Sequence, residues 1–384
     1  MSGFIVGKYR QVTGYLKGRI NPRNMKGLTT SGHIDDELWI LLENYSEIKE
    51  EGLKYFKNNG IKNSNTRNKL FKHFQAYIRQ AKNYYYSAKT LAPRSSGLLY
   101  YYCFLNLAKA AILIKDPSIA GKKISHGLSY KINSPSNFSK QKIKILNDGV
   151  FPKLYDWYFS KSIKEISLSI PELLNYCSDI GYQCELAGID KPKTLYCKNI
   201  GATDKNKKTA WSLIAIPESA SILKYKKSFN DFLKNFEKVD VPQLFCREMF
   251  DLDAFQQSSY AFFQSKDETK WISDNIPPMS EVRDNTLKSL NNCFQTYYFG
   301  NGADFTISLP YLPNKQIRMD ETIAIYLVMF YLSNLVRYKP QYLEGLLSKK
   351  EAWLIDSFVK SCSVTFLRAI VSRIINIDFV LEIR

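Results

Sequence analysis

Apolar positions recur at helical spacing in the first and last parts of this chain and alternate in its middle. Over residues 66–89, Leu70, Phe74, Tyr77, Ala81, Tyr84, Tyr85 and Ala88 fall on one face at about 100° per residue, and Lys72, Arg79, Lys82 and Lys89 fall on an adjacent sector. The spacing predicts a long core-facing helix with a basic flank. A helix before it is marked by Asp35 and Asp36 as caps and by apolar Leu38, Leu41, Leu42, Tyr45, Ile48 and Phe56. Residues 97–114, with Ser95 as the expected N-cap, are apolar almost all round and predict a buried helix. That segment carries Asn106 and Lys109 and is shorter than the ~20 residues of a membrane span. Helix and turn follow over 151–177, with Pro171 opening PELLNYC. The pattern then changes. Residues 194–200, 209–216 and 258–264 alternate as strands do, and Asn301-Gly302 signals a hairpin. Helical periodicity returns over 321–338 and 352–375, broken at Pro340.

These elements imply a mostly α fold of the α+β class. The expected organisation is a basic N-terminal arm at 1–34, a helical domain at 35–180, a mixed α/β region at 181–318 and a C-terminal helical segment at 319–384. At 384 residues, with 45% hydrophobic and 23% charged residues, the chain is globular and large enough for two or three units.

Charge changes the picture most. Residues 52–147 carry eighteen Lys and Arg and one acid, Asp116, a net +17 against +18 for the whole protein. Residues 1–51 balance, with seven bases and seven acids. A solvated lysine face is the ordinary meaning of a basic run, but helix surfaces usually mix signs. So concentrated a field points to a polyanion, with nucleic acid, RNA or DNA, first. No membrane partner is expected.

Other chemistry is mostly excluded. Seven scattered cysteines form no CxxC pair and only three histidines exist, so no metal site and no cofactor are expected, and the thiols suit a reducing cytoplasm. No apolar leader opens the chain. GxGxxG, GxxxxGK[ST], a serine elbow and HExxH are absent. Asp251 and Asp253, followed by Glu268-Thr269-Lys270, have the composition of a metal-dependent nuclease site, or of a solvated turn.

The runs LLYYYCFLNLAKAAILIKDPS, ISHGLSYK, NDGVFPKLYDW and SIPELL, with LVRYKPQYLEGLL near the end, resemble the bacterial YaaC-like family over about 70–180 and 320–375. The helix pair ending at His126-Gly127 also resembles, more loosely, the HEPN superfamily. That resemblance implies a four-helix core, often dimeric, in antiviral defence and toxin systems, binding RNA or cleaving it without metal. The superfamily's motif is Arg, a polar residue, three to five more residues, then His. At its usual place this chain has Lys122, Lys123 and His126 and no Arg, whereas a full match runs from Arg67 to His73. The candidate catalytic residues are therefore Arg67, His73 and His126. The candidate nucleic-acid contacts are Lys72, Arg79, Lys82, Lys89, Lys122 and Lys123. The expected function is RNA binding by a HEPN-like defence protein with ribonuclease capacity, acting as a homo-oligomer or hetero-complex. The alternatives are a non-enzymatic dimerisation or partner-binding module of a defence complex, and a metal-dependent nuclease.

Overall fold

A computed structural model describes residues 6–16, 25–29, 34–131, 140–217, 226–253, 257, 259–271, 281–282, 285–286, 289–290, 294–299, 304–309, 317–349 and 351–382. The fold is an α+β mix that divides into two compact units. One comprises residues 31–192 and 310–377, the other 1–30, 193–309 and 378–384.

The first unit opens with α1 (Ile34–Ser46) and α2 (Lys49–Asn58). Asp35 and Asp36 lie in the first turn of α1, where the helix dipole favours acids, rather than at a cap. The long predicted helix is α3 (Ser64–Lys89), capped by Asn63, whose side chain accepts from the Thr66 amide at 2.9 Å. Next comes α4 (Pro93–Ile112). It starts at Pro93 and not after Ser95, because the fixed φ of proline suits a first helical turn. Three short strands, Leu128–Lys131, Lys142–Ile145 and Ile166–Ser169, form an antiparallel sheet with α5 (Val150–Phe159) between the last two. At four residues each they fall below what alternation reveals in sequence. The run at 133–139, which reads in sequence as a polar break between elements, lies outside the described residues. Helices α6 (Ile170–Leu174) and α7 (Gly181–Leu186) complete this stretch.

The second unit is a twisted sheet. Among the described residues its strands follow the order Val6–Gly7, Phe236–Val239, Tyr260–Ser265, Thr209–Pro217, Lys193–Asp204, Asp304–Leu309, Gln295–Phe299, Asp378–Glu382 and Met25–Thr29. Period-two alternation assigns the faces. Ile214 and Ile216 join one buried cluster with Phe229 and Phe232 of α8 (Lys226–Asn235), while Trp211, Leu213 and Ala215 join another with Cys246 and Phe250 of α9 (Gln243–Phe250). Both faces of Thr209–Pro217 are thus covered. The expected hairpin is present as the pair Phe299↔Asp304, and its turn, Asn301-Gly302, lies outside the described residues.

Two expected boundaries change here. Residues 1–34 are not simply an arm, because Val6–Gly7, Gly14–Leu16 and Met25–Thr29 all pair into the sheet. Residues 319–384 are also not helical throughout, since Asp378–Glu382 is a strand of the same sheet.

Helices α10 (Glu321–Tyr338), α11 (Pro340–Leu347) and α12 (Glu351–Ile375) belong to the first unit. They explain why α4 is apolar all round. Its Tyr100 meets Tyr85 of α3 at 5.5 Å between ring centroids, Tyr101 meets Tyr326 and Phe330 of α10 at 5.8 and 5.4 Å, and Phe104 stacks on Phe366 of α12 at 3.9 Å. Each such ring buries enough apolar area to stabilise the fold by roughly 1.5–3 kcal/mol.

A carboxyl lies deep in this packing. Glu321, in the first turn of α10, accepts hydrogen bonds at Oε1 from the amide and hydroxyl of Ser178, at 2.6 and 2.9 Å. Its Oε2 is buried with no hydrogen-bond partner among the described residues. Burial, reinforced by the Asp179 charge, pushes its pKa up to about 8. Burial also raises the pKa of Asp320 next to it. A raised folded-state pKa favours folding most below the unfolded value and loses that advantage as pH rises through the folded value. The protein should therefore lose a few kcal/mol of stability between about pH 5 and 8. Glu321→Gln should flatten that loss in urea titrations across the range, and an unchanged slope would refute the assignment.

A histidine cleft between α4 and α10

The first unit contains a cleft of about 690 Å³ bounded by α4, α10 and the turn and strand at 126–130. That volume is typical of a site for a small ligand or one nucleotide unit. Tyr101 and Tyr102 line it from α4, Phe330 and Arg337 from α10, and His126 and Tyr130 from the turn and strand.

His126 is held from two directions. Its carbonyl accepts from the Phe151 amide at 3.1 Å, and the Ser125 carbonyl accepts from the Val150 amide at 2.9 Å. This docking on the start of α5 depends on glycine. Gly149 has φ +133°, and a Cβ there would lie 2.3 Å from the Gly127 nitrogen and 2.9 Å from the Ser125 oxygen. The imidazole Nδ1 lies 2.9 Å from the Tyr101 hydroxyl, a hydrogen bond that leaves Nε2 to the cleft.

Positive charge acts on the histidine of the cleft. The half-buried His126 has its pKa lowered by burial first, then by the charges of Lys109 and Arg337. Both charges named are positive. Lys109 is itself half-buried, and burial lowers its pKa. Neither Lys109 nor Arg337 forms an ion pair with a carboxylate among the described residues. The Arg337 guanidinium donates to the Tyr102 hydroxyl at 3.0 Å and lies 5.0 Å from the Tyr338 ring centre. Cations without counter-charge, Lys109 half-buried and Arg337 exposed, favour a bound anion, and a row of tyrosines favours one that carries an aromatic group.

The sequence candidates distribute differently. Arg67 donates from Nη1 to the carbonyls of Ile61 and Lys62, so it fastens the turn before α3. His73 lies about 9 Å further along the helix axis. It packs 6.4 Å from the Tyr77 ring and beside the Gly121 turn, so the structure does not bring Arg67 and His73 together. His126 does line a cleft, but Lys122 and Lys123 are exposed on the loop before it and are not among the cleft-lining residues.

The basic flank of α3 is largely neutralised. Arg79 pairs with Glu47, Lys82 with Glu43 and Lys89 with Asp35, all acids of α1 or the residue after it. Arg79 holds the Glu47 carboxyl below the usual range. Of the four flank residues only Lys72 is exposed without an ion pair among those described. Arg337 was missed from sequence. Its signal was faint: a lone arginine ending an apolar helix just before Pro340.

Asp251 and Asp253 are exposed, and Asp251 ends α9 with φ +54°. Glu268 pairs with Arg10 at 3.0 Å. Among the described residues no three His, Cys, Asp or Glu side chains group to hold a metal ion, and no helix is long and apolar enough to cross a membrane.

A family model described as YaaC-like Protein matches residues 47–374, and the chain belongs to that family. No curated protein and no solved structure matches it.

Proposed function

For this member of the YaaC-like family we propose RNA binding, with one nucleotide unit seated in the cleft and His126 acting on its ribose. The observation that carries the reading is a half-buried histidine sharing a tyrosine-lined cleft with Arg337, a cation with no carboxylate partner among the described residues. Arg337 would hold phosphate and the tyrosines would hold the base. In the tautomer whose Nδ1–H donates to Tyr101, Nε2 is the free base. It takes the proton of the 2′-hydroxyl, the 2′-oxygen attacks phosphorus, and the 5′-oxygen leaves with a proton from water. The products are a 2′,3′-cyclic phosphate and a 5′-hydroxyl. The antiparallel pair α3–α4 with α10 and α12 packed on α4 supports a HEPN-like core, with the arginine supplied by α10 instead of the local motif. Partner binding or self-association would use another surface of this unit. Tyr182 and Trp353 meet edge-on at 5.8 Å and stand 62% and 48% exposed, with Leu186 at 50%.

Binding of a labelled RNA tetranucleotide tests the proposal. Arg337→Gln removes a charged hydrogen-bond donor and should weaken binding about 10- to 100-fold. Binding should tighten as pH falls from 7.5 to 5.5, because bound phosphate favours protonated His126, and His126→Asn should abolish that pH dependence. Arg337→Gln binding as tightly as wild type would overturn the reading.

A further inference from the structure

The rest of the α3–α4 surface carries a consequence for the ligand's size and strandedness. On α3, His73, Tyr77 and Tyr84 share a face, being spaced by four and seven residues. On α4, Tyr102 and Lys109 share a face by the same spacing. The helices run antiparallel, and the two rows meet rung by rung. Tyr84 lies against Tyr102, with centroids 5.5 Å apart and planes 30° apart. Lys109 sits over the Tyr77 ring at 5.7 Å. His73 follows Tyr77 with planes 32° apart and lies against the Gly121 turn, beyond which Lys122 and Lys123 are exposed. His73, Tyr77, Tyr84, Tyr102 and Lys109 are all partly accessible. No carboxylate forms an ion pair with this row among the described residues, in contrast to the opposite flank of α3, where α1 supplies three acids.

We infer that the cleft is one part of a longer track for single-stranded RNA, running along the α3–α4 seam to Lys122 and Lys123. The inference rests on the cleft reading above and adds the class of ligand. From Tyr84 to His73 the row spans about 16 Å at the helical rise of 1.5 Å per residue. At the 3.4 Å rise per strand of stacked nucleic acid, that holds about five nucleotides. A row of aromatic rings holding one cation, Lys109, and ending at two exposed lysines suits unpaired bases that stack while their phosphates meet the charge. A duplex hides its base faces and cannot use such a row.

Fluorescence anisotropy with labelled oligouridylates of one to ten nucleotides, and with an RNA duplex, tests this. Affinity for single strands should rise to about six to eight nucleotides and then level off, with the duplex weaker than an octamer. Tyr77→Leu should weaken octamer binding about 10-fold and leave a mononucleotide unaffected. A Lys122→Gln, Lys123→Gln double variant, on exposed positions where folding is not at stake, should reduce the salt slope of octamer binding by about 1 to 2. Affinity that stops rising at two nucleotides, inert track variants, or a duplex bound as tightly as the octamer would each overturn the track. In those cases a damaging Arg337→Gln would leave the cleft reading intact. If Arg337→Gln is harmless at every length, the cleft reading fails instead.

Discussion

Replacing His126 with asparagine should lower RNA cleavage by about two to four orders of magnitude, the usual contribution of a positioned acid–base group. The expected products of the wild-type protein carry 2′,3′-cyclic phosphate ends, and an all-deoxy strand of the same sequence should be bound but not cut. The pH profile separates chemistry from support. Burial, Lys109 and Arg337 hold the His126 pKa below its ordinary value. As a base His126 must be neutral, so activity should rise with pH through that lowered pKa and be level near pH 7. Arg337→Gln removes one of the two cations, so the acid limb should move to higher pH while the maximal rate falls. A merely structural role for either residue would not shift that limb. Undiminished cleavage by His126→Asn would end the catalytic assignment. If EDTA then abolished that cleavage, the chemistry would move to Asp251, Asp253 and Glu268 of the other unit.

Gly149→Ala should destabilise the helical unit by about 3 kcal/mol or more, through two effects that add. The backbone at φ +133° and ψ −173° is open essentially to glycine alone. A Cβ there would also meet backbone atoms, the Gly127 nitrogen at 2.3 Å and its Cα at 2.4 Å, and backbone cannot swing aside as a side chain does. The 125–127 segment must therefore lift from the start of α5, carrying His126 with it. Hydrogen exchange at the Val150 and Phe151 amides reads this directly, since they donate to Ser125 and His126. Both should lose protection, and RNA binding should fall with them. Gly60→Ala is the control: its φ is +89° but nothing lies within 4 Å of the added methyl, so only about 1 kcal/mol of strain is expected. A Gly149→Ala protein with wild-type stability and protection would show that the close approach of Gly149 to Gly127 does not hold the histidine.

The hydrophobic pattern by itself determined α3, α4, α10 and α12, because in each the apolar face is set by neighbours three and four residues away. It also determined residues 194–200 of the strand Lys193–Asp204, the strand Thr209–Pro217 and the pairing on either side of Asn301-Gly302, where the partners are close in sequence, but it did not carry the first strand on to Asp204. Only the tertiary structure could pair Met25–Thr29 with Asp378–Glu382, because nothing local in two five-residue strands names a partner at the opposite end of the chain. The charge imbalance was legible as a total and not as a surface. Counting by segment put the acids of α1 in a balanced N-terminal stretch, and folding lays Asp35, Glu43 and Glu47 on Lys89, Lys82 and Arg79. The same holds for the cleft. His126 could be singled out as one of three histidines, but the burial that lowers its pKa, and the charges of Lys109 on α4 and Arg337 on α10 that add to it, come from packing. Helical periodicity reports which way a residue faces on its own helix. Which helix it then faces is decided by packing, and in this protein that packing brings the histidine, Arg337 and the tyrosines to one cleft.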